Sequence, residues 1–226
     1  MIVNTPFHQY VFGVKDIDNI VFQYRDVVPD PDNYQQYKEE ILNSAYHYLD
    51  HWYSRDFDDV VMLQGDELMA ICFGSDNYYD NGRAINGSIH CLTLDNEGIR
   101  MLNDLIWGSE QTSLLISRYG GVDGKDPEVA PLRAIRAYYH FWAMELFGDV
   151  PIMDHFYGEG ETVDRRPRAE VAQFIANELE EILSQTDADG ASALSKANDS
   201  TTYGKPNYWM ATALLAKLYL NWGVYT

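Results

Sequence analysis

The sequence is short of cysteine, of positive charge and of long apolar runs, and each shortage excludes something. Two cysteines in 226 residues, Cys72 and Cys91, cannot make a disulfide framework, and neither stands in a Cys-x-x-Cys or Cys/His ligand spacing. Two buried thiols are the favoured reading, with one bridge between them as the alternative. Sixteen Lys and Arg against 35 Asp and Glu leave a formal charge of −19. That charge repels phosphate backbones and anionic headgroups, and no basic helix or tail offsets it, so nucleic acid is not an expected partner. No apolar run approaches the ~18 residues of a membrane span. The opening "MIVNTPFHQYVFGVKD" has neither a basic n-region nor a clean apolar h-region, so it does not read as an export signal.

What the chain does have is apolar bulk, 46% of residues, enough for an ordinary core. Its acids are mostly single Asp in loops, such as Asp16, Asp18, Asp30 and Asp32, which is the pattern of a solvated surface. Residues 1–32 read as mostly irregular, with short strand signals such as 20–24. From Asp32, a plausible N-cap, the apolar residues Tyr34, Tyr37, Ile41, Ala45, Tyr48 and Trp52 fall at helical spacing and predict a helix over 33–53. A second helix is predicted over 95–118, with Ile99, Leu102, Ile106 and Leu115 inward and a break near Gly108. A third, over 128–147, carries Leu132, Ile135, Tyr139, Trp142 and Leu146 on one side and Tyr138, Phe141 and Met144 on its flank. Apolar cover on most of its circumference places it among other helices. Gly148 supplies its left-handed end and Pro151 forbids continuation.

In "RRPRAEVAQFIANELEEIL", Pro167 opens a fourth helix with Val171, Phe174, Ile175, Leu179 and Ile182 inward and Glu178, Glu180 and Glu181 outward. The last helix, 206–223, has Lys217 as its only charge. It is expected to be buried nearly all round, needing neighbours that a chain ending just after it does not supply. The sequence is therefore expected to be part of something longer.

Catalytic and metal signatures are weak. His47 and His51 lie four apart on the first helix, a spacing that suits a metal, but no third ligand is in register. "DADG" at 187–190 begins like a calcium loop, lacks its later ligands and reads as a turn. No Gly-x-Ser-x-Gly, P-loop or Gly-rich phosphate loop occurs. The adjacent Asp66 and Glu67 do not converge on one substrate atom. The expectation is a protein that is not an enzyme and needs no cofactor or metal.

Aromatic rings at helical spacing are core, but rings in polar loops are different. The segment "GSDNYYDNGRAINGS" sets two tyrosines beside Asn, Asp and Arg. That combination offers flat faces for sugar C–H groups and forked polar groups for vicinal hydroxyls. The same composition also suits a loop that caps its own helix ends.

Three ordered stretches carry a family resemblance: "VAPLRAIRAYYHFWAMELFGDVPIM", "RRPRAEVAQFIANELEEIL" and "YGKPNYWMATALLAKLYLNWGVYT". Together they resemble the SusD/RagB family of Bacteroidetes outer-membrane lipoproteins. The likeness covers 129–226 strongly. It extends over 34–118, where "GDELM", "YYDNG" and "NDLIWGSEQTSLLISR" are similar to the family's Asp-Glu segment, aromatic loop and following helix. The resemblance implies a mostly α-helical fold of tetratricopeptide-like helix pairs over 33–226, with long ligand-site loops. It also implies a position on the outward face of the outer membrane through a lipidated N-terminal cysteine. There the protein would close over a SusC-like TonB-dependent transporter and deliver oligosaccharides, or peptides in some members. Family members run to roughly twice this length, so the chain is expected to be a truncated, N-terminal half, and neither cysteine is placed to carry the lipid. The matching wall of the ligand site is 72–88. Within it Phe73, Tyr78 and Tyr79 are the stacking candidates and Asn77, Asp80 and Arg83 the hydroxyl-binding ones. Trp107 is a weaker candidate that also reads as a core indole.

Overall fold

The computed structural model describes residues 2–4, 9–11, 34–47, 49, 96–157 and 161–226. The chain divides into two compact units, 1–30 and 31–226. In the first, β1 (Ile2–Asn4) and β2 (Gln9–Val11) form a short antiparallel hairpin with Val3 opposite Tyr10. The irregular reading missed this hairpin, whose β-branched Ile and Val residues suit an extended backbone. The strand signal at 20–24 lies outside the described residues.

The second unit is mostly helical. It contains α1 (Tyr34–Ala45), α2 (Asn96–Tyr119), α3 (Ala130–Phe147), α4 (Arg168–Ser184), α5 (Tyr208–Leu220) and the single turn α6 (Trp222–Tyr225). Between α3 and α4, β3 (Val150–Pro151) pairs antiparallel with β4 (Arg165–Arg166). Helices α2 to α5 pack in sequence, each on the next, and α1 lies against α2 and α3. Helix α3 is the centre: Leu132, Ile135, Tyr139, Phe141 and Met144 have essentially no exposure, as its all-round apolar pattern requires.

Helix α2 runs unbroken through Gly108. A Cβ built on Gly108 would lie 2.3 Å from the Tyr139 ring, so the glycine admits the tyrosine rather than ending the helix. The buried face of α2 also differs from the expected Leu102, Ile106 and Leu115 stripe. Leu105, Ser109, Thr112, Ser113 and Ile116 are buried, and the expected residues sit at the margin. Ser109 and Thr112 donate to the carbonyls of Leu105 and Gly108 on their own helix, so small side chains with satisfied hydroxyls let the two helices approach. Tyr139 completes the junction by donating to the Ala45 carbonyl of α1 at 2.7 Å.

The exit from α3 is built residue by residue. Gly148 takes φ +78 and donates to the Met144 carbonyl, a positive φ that glycine adopts at no steric cost. Asp149 accepts from the backbone N–H of Arg168 at 2.9 Å, capping α4, whose own N-cap position is held by Pro167. Val150 is fully buried. At the other end of α4, the expected turn at 187–190 forms: Asp187 accepts from the amides of Asp189 and Ala191, and Gly190 takes φ +81.

Two expectations about exposure fail. Glu178 was expected outward and is 7% exposed, because two arginines of α3 face it. The last helix was expected to be buried nearly all round, yet only Ala211, Leu214 and Leu218 of α5 are buried, since α4 and α3 cover a single side of it.

The α2–α3 crossing makes a direct prediction. Gly108→Ala drives a methyl into a fully buried ring and should destabilise the fold by about 1–3 kcal/mol, read from urea unfolding. An unchanged midpoint would show that the crossing is slack.

Candidate functional site

The sequence-predicted ligand residues Phe73, Asn77, Tyr78, Tyr79, Asp80 and Arg83 all lie outside the described residues, as do Cys72, Cys91, Asp66, Glu67 and His51. His47 is exposed at the end of the first helical stretch. No group of three metal-ligating side chains occurs among the described residues. Trp107 is 50% exposed on α2, so it is not the core indole its helical position allowed.

The most concentrated polar chemistry among the described residues lies between α3 and α4. Arg133 donates from Nε and Nη2 to Glu178 Oε1 at 3.1 and 2.6 Å, and Nη2 also reaches Glu181 Oε2 at 2.8 Å. One turn along α3, Arg136 donates from Nε and Nη2 to Glu178 Oε2 at 3.0 and 2.5 Å. Its Nη1 reaches Ser113 Oγ of α2 and the Asp154 carbonyl at 3.1 and 2.8 Å. One carboxylate is thus shared by two guanidiniums, each using its planar fork. Burial works against the charge of Arg133, but Glu178 and Glu181 outweigh it and hold the guanidinium protonated above its ordinary range. Lys125 and Arg133 together keep Glu181 below the usual carboxylate range. Sequence reasoning missed this cluster. Its signal was available: two arginines three apart on a helix with no solvent face must meet acid on a neighbour.

His140 extends the same cluster. Its Nδ1 is 2.8 Å from the Arg136 carbonyl and its Nε2 accepts from the Met153 amide at 2.8 Å. A carbonyl only accepts and an amide only donates, so Nδ1 carries the proton and the ring is neutral. Burial pushes its pKa down to about 4, opposed by the hydrogen bond to the Arg136 carbonyl and by the charges of Glu178 and Asp154, while the Arg136 charge adds to the drop. Ser113 donates to the Met153 carbonyl at 2.6 Å. Ser113, Arg136 and His140 together therefore fix the backbone of 153–154, which leads away from the exit turn. A cavity of about 270 Å³ opens beside the cluster, lined by Ser117, Gly121, Lys125, Arg133, Asp154 and His155 among others. Its charges are largely matched in pairs within the protein, and they position the surrounding helices.

Two open surfaces differ from that cluster. A groove of about 570 Å³ lies between the end of α1, the face of α3 and the approach to α5. It is mostly apolar and lined by Tyr46, Leu49, Ile135, Tyr138, Pro206 and Met210, and Lys205 closes one rim by pairing with Glu39 at 2.7 Å. The second surface, about 560 Å³, is lined mostly by polar residues of the 198–207 loop. There Asp199 accepts from Thr201 and Asn207 Oδ1 caps α5 through Met210 N. The apolar groove suits an apolar side chain or helix face, and the polar one suits water and hydroxyls. Among the described residues no helix is long and apolar enough to cross a membrane.

No protein-family model, curated protein or solved structure matches the chain.

The cluster predicts two measurements. Replacing Glu178 with Gln leaves two buried guanidiniums without their shared charge and should cost about 3–5 kcal/mol, measured by urea unfolding. His140 is neutral when folded and titrates near 6.5 when unfolded. The unfolded chain therefore binds the extra proton between those values. The contribution of His140 is full above pH ~6.5 and falls away by roughly 3 kcal/mol as the pH drops toward 4. By NMR, the His140 ring should remain neutral at pH 5.5. A His140 midpoint near 6.5 would contradict the geometry.

Proposed function

We propose that the chain is a non-catalytic ligand-binding protein of the SusD/RagB kind. On this reading it binds oligosaccharide at the outward face of the outer membrane and delivers it to a SusC-like TonB-dependent transporter. The observation that carries the reading is the order of three motifs on consecutive helices. The Arg-Ala helix with its Leu-Phe-Gly-Asp-Val-Pro exit is α3, the Arg-x-x-x-x-Glu-Val-x-x-Phe-Ile stretch leads into α4, and Tyr-Gly-Lys precedes α5, which carries Ala-Leu-Leu-Ala-Lys. On the same reading the sequential packing of α2 to α5 is a run of tetratricopeptide-like pairs. Such a framework displays loops on rigid helices. The sugar contacts are then those of the 72–88 loop: Phe73, Tyr78 and Tyr79 by stacking, Asn77, Asp80 and Arg83 by hydrogen bonds to hydroxyls. Trp107 is half exposed on α2. Affinity should be modest, because hydroxyl contacts at an open site only replace contacts with water.

A second reading is favoured by one observation, the apolar groove between α1, α3 and α5. A groove between helices is where an amphipathic peptide seats its apolar side chains, and its volume is within the ordinary range for a ligand pocket. The ligand would then be a peptide, with Tyr138 and Met210 as contacts.

Calorimetric titration against a panel of oligosaccharides and of apolar-rich peptides separates the two. The sugar reading expects saturable heat with one class of oligosaccharide, lost in Tyr78→Ala and Tyr79→Ala and kept in Met210→Asp. Peptide binding lost in Met210→Asp and indifferent to the tyrosines would replace it with the second reading. No heat from either panel, with a folded chain by circular dichroism, would count against both.

A further inference from the structure

The cavity of about 270 Å³ beside the shared carboxylate is walled by the end of α2, the turn at 121–125, α3, α4 and the 154–155 segment. These walls are already in place. Ser113, Arg136 and His140 hold the backbone of 153–154, and Gly121 and Gly124 curl the turn at φ +72 and +68. One polar group among the lining residues is unanswered. Arg133 is 1% exposed, and its Nε and Nη2 are bonded to Glu178 and Glu181. Its Nη1 has no hydrogen-bond partner among the described residues. A buried guanidinium N–H without an acceptor is costly, so an oxygen supplied from the cavity would be strongly favoured.

The charges decide what kind of oxygen. The lining carries Lys125, Arg133 and Arg136 and, against them, Asp123, Asp154 and Glu178, so the signs balance. An anion drawn to Arg133 meets the aspartates, and a cation drawn to the aspartates meets the guanidiniums. Each also gives up its own hydration. A zwitterion would balance the charges but gives up the hydration of two ionic groups. A hydroxyl avoids these costs, because it accepts from Nη1 and donates to a carboxylate without bringing charge. Asp123 and Asp154 are each bonded through Oδ1, to the Lys125 amide and to His155 Nδ1, and their second oxygens can accept from such hydroxyls.

We propose that this cavity binds an uncharged polyhydroxyl ligand of about one sugar ring. One hydroxyl oxygen accepts from Arg133 Nη1, and its neighbours donate to Asp123 and Asp154. The volume lies just under the ~300 Å³ at which ligand pockets ordinarily begin, so a single ring fits and a longer chain enters only by its end. The site shares no residue with the 72–88 segment and does not depend on sugar binding there. Binding is weak, because most of the ligand's hydroxyl contacts replace contacts with water.

NMR of the isotope-labelled chain tests this, with the Arg133 side-chain Nε–H and the amides of 121–125 as reporters. The probes are a panel of monosaccharides and myo-inositol, with acetate, methylammonium and glycine as charged and zwitterionic controls. The expected result is a saturable shift of both reporters with at least one uncharged polyol and none with the controls. Ser117→Leu places a larger apolar side chain at an exposed position of the cavity wall. It should weaken binding about tenfold or more while circular dichroism shows the fold unchanged. No shift with any polyol, or binding that Ser117→Leu leaves intact, overturns the proposal. Saturation by acetate or glycine in place of the polyols overturns the ligand class. Polyol shifts confined to 72–88 overturn this site while supporting the sugar reading of that segment.

Discussion

Two guanidiniums share one carboxylate at the centre of the helical unit, and most of what surrounds them follows from that arrangement. Arg133 and Arg136 leave α3 on the side that faces α4, and Glu178 is the residue of α4 that meets both. A buried ion pair is weak evidence for stability, because desolvation offsets the attraction. Its leverage lies in refusing alternatives. A rotation or a one-turn slide of α4 on α3 would leave two charges buried without partners, which costs more than any apolar mismatch. The apolar faces of these helices could pack in several registers, and the charges leave one.

The same arginines carry the constraint outward. Arg136 holds Ser113 of α2 and the Asp154 carbonyl, and its backbone carbonyl is the partner of His140, whose other nitrogen takes the Met153 amide. Three helices and the segment after the exit turn are thus tied to one point. The short exit, where Gly148 reverses the chain and Asp149 caps α4, sets where α4 begins, and so where Glu178 arrives. The aromatic helix and its Leu-Phe-Gly-Asp-Val-Pro end are framework. Ligand chemistry, on the proposed reading, belongs to the loops this framework carries.

Helix positions were legible in the sequence because they depend on local facts: apolar spacing for α3, Pro167 before α4, Gly148 and Pro151 after α3. What was not read was which residues partner. Glu178 looked like any outward acid of a half-exposed helix, since nothing on α4 announces the arginines opposite. Gly108 looked like a helix break because its reason, the Tyr139 ring, lies 31 residues further along. The buried hydroxyl face of α2 was overlooked in favour of bulkier neighbours, although small residues are what a close crossing selects. The composition of α5 foretold burial, while the structure leaves its outer side bare, because composition reports that a surface needs cover and not which surface covers it. For the ligand site, only the residue types of the 72–88 loop could be read, and these lie outside the described residues.

On the proposed reading framework and ligand site are separate: α3 and α4 are locked by the shared carboxylate, and binding belongs to the 72–88 segment. Hydrogen exchange followed by mass spectrometry, with and without a saturating oligosaccharide found by calorimetry, tests it most directly. The account predicts that the amides of α3 and α4 exchange slowest and are unmoved by ligand, while protection rises in 72–88. Fast exchange in α3, or ligand protection confined to α3 and α4 with the loop unchanged, would contradict it.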